Sequence, residues 1–220
     1  MTADDNLLEF AREKLYAAVI SDILDEEGLH DQALPPAIRP VDDQTVLCGR
    51  ARTGLYMAIN HDGDINVYEQ EIALVDDLKP NDVAVLACGG SPRIAPWGEL
   101  LSTAARARGA AGCVTDGLVR DVHRIRAMAF PVFSGGIGPL DTKYRGKMML
   151  SDVPAKIGAA TIESGDIVFG DVDGVVVIPG NIADKILSRA VAKVEGEDLV
   201  RRELEQGESL KVVFDKYGIL

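Results

Sequence analysis

Apolar residues recur at helical spacing near both ends of the chain. Across residues 6–27 they return every three to four positions, which predicts an amphipathic helix that ends before Gly28. Residues 181–205, which follow Pro179, carry mixed charges and predict a C-terminal helix. We therefore expect helices on both flanks of a central region.

Short apolar runs between these flanks predict strands. Val83–Cys88 is a continuous apolar run, which is typical of a buried strand. Residues 166–178 hold two apolar runs joined by Gly170–Gly174, the pattern of a β-hairpin. Strands and helices alternate only in the middle of the chain, so a layered α/β domain is favoured over a doubly wound sheet. The other predicted strands are 45–59, broken by Gly49 and Gly54, 112–115, closed by a turn at Asp116-Gly117, and 130–133; the other predicted helices are 64–76, 98–108 and 121–129.

The composition is that of an ordinary globular protein of 220 residues, with 47% hydrophobic and 26% charged residues. We expect a single domain over residues 1–220. The formal net charge of −12 is opposite in sign to the positive surface that binds nucleic acid, so no nucleic-acid partner is expected. An anionic substrate would need local positive charge, which directs attention to arginines near glycine-rich turns.

Cysteine usage and the length of the apolar runs indicate the compartment. The three cysteines lie in apolar stretches without CxxC spacing, so we expect small buried thiols rather than disulfides. The start of the chain lacks a signal-peptide pattern, and no apolar run approaches the roughly 20 residues that span a bilayer. The expectation is a soluble, cytoplasmic protein without membrane contact. The cysteines are Cys48, Cys88 and Cys113.

The stretch from Gly89 to Gly136 carries most of the candidate chemistry. Gly89 follows the predicted buried strand, and ligands of open α/β sheets bind at such strand ends. Gly98 opens the next helix, whose first-turn amides have no intrahelical acceptor and lie at the positive end of the helix dipole. The amides of Leu100 and Leu101 could therefore hold a carboxylate, and Gly98 would let that anion approach closely.

Three charged residues of this stretch admit both a functional and a structural interpretation. Glu99 is a candidate catalytic acid, although an acid in a first helical turn also compensates the dipole. Arg120 presents a planar fork that suits a carboxylate or a keto oxygen, and Asp121 is a hard oxygen ligand of the kind that Mg²⁺ prefers. An adjacent arginine and aspartate are also common as a surface ion pair, which stabilises a protein by about 0–1 kcal/mol.

The ordered combination of motifs resembles the superfamily of 4-hydroxy-4-methyl-2-oxoglutarate/4-carboxy-4-hydroxy-2-oxoadipate aldolases and the regulator of ribonuclease activity A. The resemblance extends from about residue 12 to 205. It implies a three-layer β/β/α swivelling-type domain with flanking helices, assembled as a trimer or a dimer of trimers with a site at a subunit boundary. The motifs are Gly98-Glu99-Leu100-Leu101, Gly109-Ala110-Ala111-Gly112, Asp116-Gly117, Arg120-Asp121, Phe130-Pro131-Val132-Phe133, Gly165-Asp166-Ile167-Val168 and Asp171-Val172-Asp173-Gly174-Val175.

The resemblance also implies roles for particular residues. Asp121 matches the direct ligand of Mg²⁺ or Mn²⁺, and Glu99 matches an acid that holds the metal through water. Arg120 matches the arginine that contacts the pyruvyl group. The amides of Leu100 and Leu101, after Gly98, match the cradle of the substrate carboxylate. A C-terminal acid of a neighbouring subunit also holds the metal through water, for which Glu197 is the first choice and Glu195 the alternative.

The function that these residues imply is cleavage of a carbon–carbon bond in a 2-keto acid, as an aldolase or an oxaloacetate decarboxylase. The alternative is a non-catalytic protein that binds and regulates a ribonuclease. Because the chain retains Glu99, Arg120 and Asp121, catalysis is favoured. A methyltransferase is disfavoured, because Gly136-Ile137-Gly138-Pro139 is a poor cofactor turn and is better explained as part of a loop after the strand at Phe133.

Four other residues have simpler explanations. Trp97 packs at the start of the helix or forms a wall of the pocket. His123 is expected on the surface of a helix. Asp171 and Asp173 are expected as turn residues of the hairpin, because the remaining ligands of a calcium loop are missing. The substrate-specific loops, which include 60–72 and 134–150, are not predicted by these patterns.

Overall fold

The structure is a computed structural model that describes residues 3–61 and 66–219. Residues 62–65 of the predicted loop at 60–72 lie outside the described residues. The helices are α1 (Ala3–Lys14), α2 (Ala17–Glu26), α3 (Glu69–Asp77), α4 (Glu99–Ala107), α5 (Val122–Ala127), α6 (Ala183–Glu205) and α7 (Leu210–Tyr217), with a 3₁₀ turn at Gly180–Ile182. The strands are β1 (Arg39–Pro40), β2 (Leu47–Ala58), β3 (Asp82–Ala87), β4 (Gly112–Val119), β5 (Val132–Ile137), β6 (Gly146–Ser151), β7 (Ala155–Ile157), β8 (Ala160–Ile162), β9 (Ile167–Asp171) and β10 (Gly174–Ile178).

One large sheet organises the molecule, with strand order β1-β5-β4-β3-β2-β9-β10 and β6 paired with β2. The strands from β2 to β5 pair in parallel, and the outer strands pair antiparallel. The segment at 32–34 runs along β10, where the Leu34 amide donates to the Val175 carbonyl at 2.9 Å. Because β1 also contacts β10, the sheet nearly closes on itself.

The sheet is buried on both faces. Val83 and Val85 of β3 pack in the core beneath the β7–β8 hairpin, whereas Ala84 and Leu86 pack beneath the helices α3, α4 and α5. This double burial is why β3 is a continuous apolar run. A third cluster joins α1, α2 and α6 to β9 and β10. The layers of hairpin, sheet and helices confirm the predicted α/β fold of the three-layer β/β/α type with flanking helices.

The predicted N-terminal helix over 6–27 is wrong as a single element, because it is divided into α1 and α2. Tyr16 takes an extended conformation between them, with φ −141° and ψ 157°. The Ala17 amide then donates to Asp171 Oδ2 at 2.8 Å, so the turn of the β9–β10 hairpin caps the start of α2. Asp171 is the last residue of β9 rather than a residue of the turn itself. Its Oδ1 accepts the Asp173 amide from that turn at 2.9 Å, and its Oδ2 caps a helix distant in sequence. The C-terminal helix agrees with its prediction to within its first turn, and α7 was not predicted.

The predicted break of the strand over 45–59 is also wrong, because β2 runs unbroken through Gly49 and Gly54. These glycines allow close packing rather than a turn. A Cβ at Gly54 would lie 2.7 Å from Met148 Cε, and one at Gly49 would meet the carbonyl oxygen of Asn81. The sequence pattern therefore predicted breaks in the strand at two glycines that are required for close packing.

The predicted turn at Asp116-Gly117 is replaced by a β-bulge, since β4 continues to Val119. The Asp116 carboxylate accepts the Gly90 amide at 2.7 Å, which ties this point of β4 to the end of β3. The predicted loop after Phe133 is wrong for Gly136, which belongs to β5 together with Gly135. A Cβ at Gly135 would lie 2.6 Å from the Asp116 carbonyl oxygen, so that glycine permits the close approach of β5 to β4.

Other expectations agree with the structure. The three cysteines are buried and free, and His123 is exposed on α5. The 166–178 segment forms the antiparallel β9–β10 hairpin. Among the helices in the described ranges, none combines the length and the apolar character needed to cross a membrane.

Candidate active site

The start of α4 lies beside the end of β4. Trp97 forms an isolated parallel bridge with Val119, and the Arg120 amide donates to the Trp97 carbonyl oxygen at 3.1 Å. This pairing brings the segment after Trp97 against the segment after Val119. A cleft of about 260 Å³ opens at the junction, lined in part by Gly98, Glu99 and Arg120. The two sequence motifs, 22 residues apart, therefore lie together in one cleft.

Gly98 is the point of closest approach in this junction. It is the N-cap of α4 and is extended, with φ −161° and ψ −168°. A Cβ added here would lie 2.9 Å from Asp121 Oδ2 and 3.2 Å from Arg120 Cγ. Glycine is therefore required at position 98 because a larger residue would not fit, and not because the backbone conformation excludes other residues.

Asp121 holds its carboxylate at the start of α4. Its Oδ2 accepts the Glu99 amide at 3.4 Å and lies 3.4 Å from Arg120 Nε. The residue has φ 59°, in the left-handed region that aspartate tolerates better than most residues. Such strained positions cost about 1–3 kcal/mol and concentrate at functional sites. The side chain is 44% exposed, so it remains accessible from the cleft.

Arg120 lies between two carboxylates. Its Nη1 is 3.3 Å from Asp141 Oδ2, opposite the Asp121 contact on Nε. The guanidinium is 37% exposed, and ion pairs of that exposure stabilise a fold by about 0–1 kcal/mol. The two contacts thus orient the guanidinium in the cleft more than they stabilise the protein.

The first turn of α4 faces the same cleft. The first intrahelical hydrogen bond joins the Ser102 amide to the Gly98 carbonyl at 3.1 Å, so the amides of Leu100 and Leu101 precede it. The carboxylate of Glu99 accepts the Thr103 hydroxyl at 3.1 Å. Leu100, which is 75% exposed, forms part of the rim of the cleft.

Trp97 supports this turn from below. It is buried, and its Nε1 donates to Ser102 Oγ at 2.8 Å. The ring also lines the cleft. Both explanations of Trp97 from the sequence, packing at the helix start and forming a wall of the pocket, are therefore correct.

Sequence reasoning missed the residues that come from outside the motifs. Tyr68 donates its hydroxyl to Asp141 Oδ2 at 3.0 Å, and both residues line the cleft. Burial tends to raise the pKa of Asp141, but the Tyr68 hydrogen bond, the Lys143 amide and Arg120 bring that pKa below its usual value. Burial and the Asp141 contact raise the pKa of Tyr68 to about 12. Asp141 is thus a carboxylate and Tyr68 a phenol near neutral pH.

Glu71 is the other missed residue of the cleft. It lies on α3, is 6% exposed, and accepts the Tyr56 hydroxyl at 2.9 Å. Burial raises the pKa of Glu71 to about 7, against the opposing effect of the Tyr56 hydrogen bond. It follows Glu69 and Gln70 and precedes Ile72, and no local pattern distinguishes it from an exposed helix residue.

Glu197 lies away from this cleft within the same chain. It is on α6 and is contacted by the hydroxyl of Tyr16. Burial raises the pKa of its carboxyl. The role of Glu197, or of Glu195, at the site of a neighbouring subunit stays a prediction.

The oxygen donors of the cleft fit a hard divalent cation. Within residues 3–61 and 66–219, no three side chains of histidine, cysteine, aspartate or glutamate converge as a complete metal cage. Mg²⁺ does not require one, because it keeps several waters and binds proteins through one or two carboxylates. Asp121, with its accessible carboxylate beside Glu99, satisfies that requirement.

Comparison with known proteins identifies the family. Residues 17–177 match the RraA-like family model, described as Aldolase/RraA. A protein of Halalkalibacterium halodurans, whose name proposes a 4-hydroxy-4-methyl-2-oxoglutarate aldolase, is 30% identical over 84% of this chain and 82% of its own length. Protein DlpA of Legionella pneumophila is 29% identical over 91% of this chain, which spans 32% of the length of DlpA.

The fold of this chain is also similar to that of a solved structure. It is that of Streptomyces coelicolor RraAS2, described as an unusual member of the RNase ES inhibitor RraA protein family. It superposes with a TM-score of 0.81 at 27% identity, over 90% of this chain and 98% of RraAS2. The resemblance drawn from the sequence motifs is confirmed, and the chain belongs to the RraA-like family.

Proposed function

We propose that this protein is a divalent-metal-dependent lyase. Its substrate would be a 2-keto acid with a 4-hydroxyl or a 4-carboxylate, cleaved through a pyruvate enolate by retro-aldol reaction or decarboxylation. The observation that carries the proposal is the convergence of Asp121, Arg120 and the first turn of α4 around Gly98 in one cleft. The proposed aldolase name of the Halalkalibacterium halodurans relative supports the same reaction class.

The chain offers separate groups for the carboxylate and for the keto oxygen of the pyruvyl unit. The amides of Leu100 and Leu101 precede the first intrahelical bond of α4, so they can donate to the substrate carboxylate. Arg120, oriented by Asp121 and Asp141, can donate to the keto oxygen. Negative charge develops on that oxygen as the carbon–carbon bond breaks, and a guanidinium fixed beforehand stabilises it without reorganisation.

The metal is proposed as Mg²⁺ or Mn²⁺. Asp121 would hold it directly, and Glu99 together with Glu197 of a neighbouring subunit would hold it through water. When bound, the cation supplies Lewis-acid polarisation of the keto group. This arrangement makes the active protein a homo-oligomer, a trimer or a dimer of trimers.

The test is pyruvate release from oxaloacetate after removal of metal. We expect activity to fall to the protein-free rate in excess EDTA, and to return when Mg²⁺ or Mn²⁺ exceeds the chelator. Because free divalent cations decarboxylate oxaloacetate slowly, each point needs a control without protein at the same free-metal concentration. Undiminished activity in EDTA would exclude the metal role.

Binding and regulation of a ribonuclease is the second candidate function. It is supported by the structural likeness to RraAS2, at a TM-score of 0.81. The two functions differ in their dependence on the cleft. Stoichiometric capture of an endoribonuclease that is unaffected by Asp121→Asn, combined with no lyase activity, would favour the regulator.

Gly98→Ala is expected to lower kcat/KM for oxaloacetate by about a hundredfold while the fold survives. The added methyl group would displace the Asp121 carboxylate and the Arg120 stem, from which its calculated distances are 2.9 and 3.2 Å. A displacement of about 1 Å in a reacting geometry can cost that factor. Gly196→Ala, in α6, is the matched control, because its Cβ meets only the flexible end of the Ile219 side chain, which follows α7. Equal activities of the two variants would contradict the steric argument.

A further inference from the structure

The cleft contains a buried carboxyl group that the proposed metal and carboxylate contacts do not use. Glu71 projects from α3, lines the cleft, and is 6% exposed. In the described part of the chain, no lysine or arginine forms a salt bridge with it. Its hydrogen-bond partner is the Tyr56 hydroxyl at 2.9 Å. A carboxyl group in such surroundings is costly to ionise, so its placement beside a polar cleft calls for a function.

The titratable groups that face Glu71 come from the sheet and from the lining of the cleft. The sheet contributes a phenol and two buried thiols, and the cleft contributes a second phenol, one cation and one further carboxylate. Burial favours the neutral form, Asp141 adds to this effect, and Tyr56 and Arg120 oppose it, which leaves the pKa of Glu71 at about 7. A group of this kind can both release and accept a proton near neutral pH. The facing residues are Tyr56, Cys88, Cys113, Tyr68, Arg120 and Asp141.

We propose that Glu71 is the group that transfers the proton between the cleft and carbon 3 of the pyruvyl unit. The inference rests on the proposed lyase function and adds to it the residue that completes the proton balance. It follows from a buried carboxyl that shares a cleft of about 260 Å³ with Arg120 and with the first turn of α4.

The proton balance closes for both reactions. In retro-aldol cleavage, the Glu71 carboxylate takes the proton of the 4-hydroxyl as the C3–C4 bond breaks. The electron pair of the broken C3–C4 bond stays with C3 and forms the enolate. The resulting carboxylic acid gives the same proton to C3, which yields pyruvate and returns the carboxylate. In decarboxylation, CO₂ leaves with no proton to donate, so neutral Glu71 protonates C3 and regains its proton from solvent.

Exchange of the pyruvate methyl protons isolates this step from bond cleavage. With Mg²⁺ in D₂O, the wild-type protein should replace the C3 protons of pyruvate with deuterium. Proton NMR would follow the loss of the methyl signal. Glu71→Gln preserves the size and the acceptor for Tyr56 but cannot transfer a proton, and it is expected to slow exchange by about a hundredfold. Glu69→Gln, an exposed residue of the same helix, is the control and should exchange at the wild-type rate.

The pH profile separates proton transfer from a structural role. Exchange requires the carboxylate form, so its rate should rise through about pH 7, the pKa of Glu71. Tyr56→Phe removes the hydrogen bond that lowers this pKa and should therefore move the rising limb to higher pH. A residue that acted through packing alone would leave the position of the limb unchanged.

The possible outcomes separate this inference from the proposed function. The assignment is supported if the wild type exchanges the C3 protons, Glu71→Gln loses this exchange, and the rising limb of the pH profile moves in Tyr56→Phe. Exchange that persists in Glu71→Gln, or an unmoved limb in Tyr56→Phe, overturns the role of Glu71 and leaves the lyase intact. Absence of exchange and of pyruvate release in the wild type overturns both. If Glu71→Gln does not fold, the Tyr56→Phe profile alone decides.

Discussion

Asp121→Asn is expected to lower kcat/KM for oxaloacetate by about a thousandfold. That factor corresponds to about 4 kcal/mol of lost transition-state stabilisation, within the several kcal/mol that a positioned metal ion supplies. Asparagine keeps the size of the side chain, can still accept the Glu99 amide, and tolerates the left-handed backbone at φ 59°. Loss of the negative charge is therefore the principal change.

Mn²⁺ affinity gives a readout of Asp121 that does not depend on turnover. Binding to wild type and Asp121→Asn would be followed by electron paramagnetic resonance, and we expect the variant to lose the bound signal. Asp173→Asn, an exposed acid in the β9–β10 turn, is the charge-matched control. Wild-type Mn²⁺ affinity in Asp121→Asn would remove this residue from the metal site.

Arg120→Ala is expected to reduce kcat/KM by about a hundredfold to a thousandfold, the effect of removing one donor to a developing oxyanion. It should also weaken binding of oxalate, a planar mimic of the enolate. Arg120→Lys should fall between alanine and wild type, because lysine keeps the charge but not the fork that spans Asp121 and Asp141.

Fold stability should change little in Arg120→Ala, since both ion pairs of Arg120 are partly exposed. Arg124→Ala, which removes an exposed arginine from α5, controls for the change in net charge. Steady-state kinetics and oxalate calorimetry on all three variants make the comparison. Oxalate binding by Arg120→Ala at the wild-type affinity would contradict the proposed contact with the pyruvyl oxygens.

Local sequence patterns predict the elements that are stabilised by contacts near in sequence, and the strands that are buried on both faces of the sheet. The apolar run of β3 reflects burial on both faces of the sheet. The β9–β10 hairpin follows from a turn flanked by apolar runs. In each case the residues that determine the element also belong to it.

The parts that were missed depend on contacts distant in sequence. The break between α1 and α2 is stabilised by Asp171, which is 154 residues from the amide that it accepts. Glu71 resembles a surface acid of α3 until Tyr56 of β2 is placed against it. Asp141 becomes a partner of Arg120 only when its loop folds over the cleft. Motif resemblance found the centre of the candidate site, but it carried no information about these three contacts.

The near-closure of the sheet has a consequence for self-association. An open sheet edge presents unpaired backbone groups that invite another chain to add a strand, which is a common route to aggregation. Here β10, at one end of the strand order, is covered by the segment at 32–34. In the homo-oligomer proposed above, this edge of β10 would therefore not be available for backbone pairing between copies. Contacts between copies there would be made by side chains, so a polar substitution in the interface would separate the copies without unfolding the subunit.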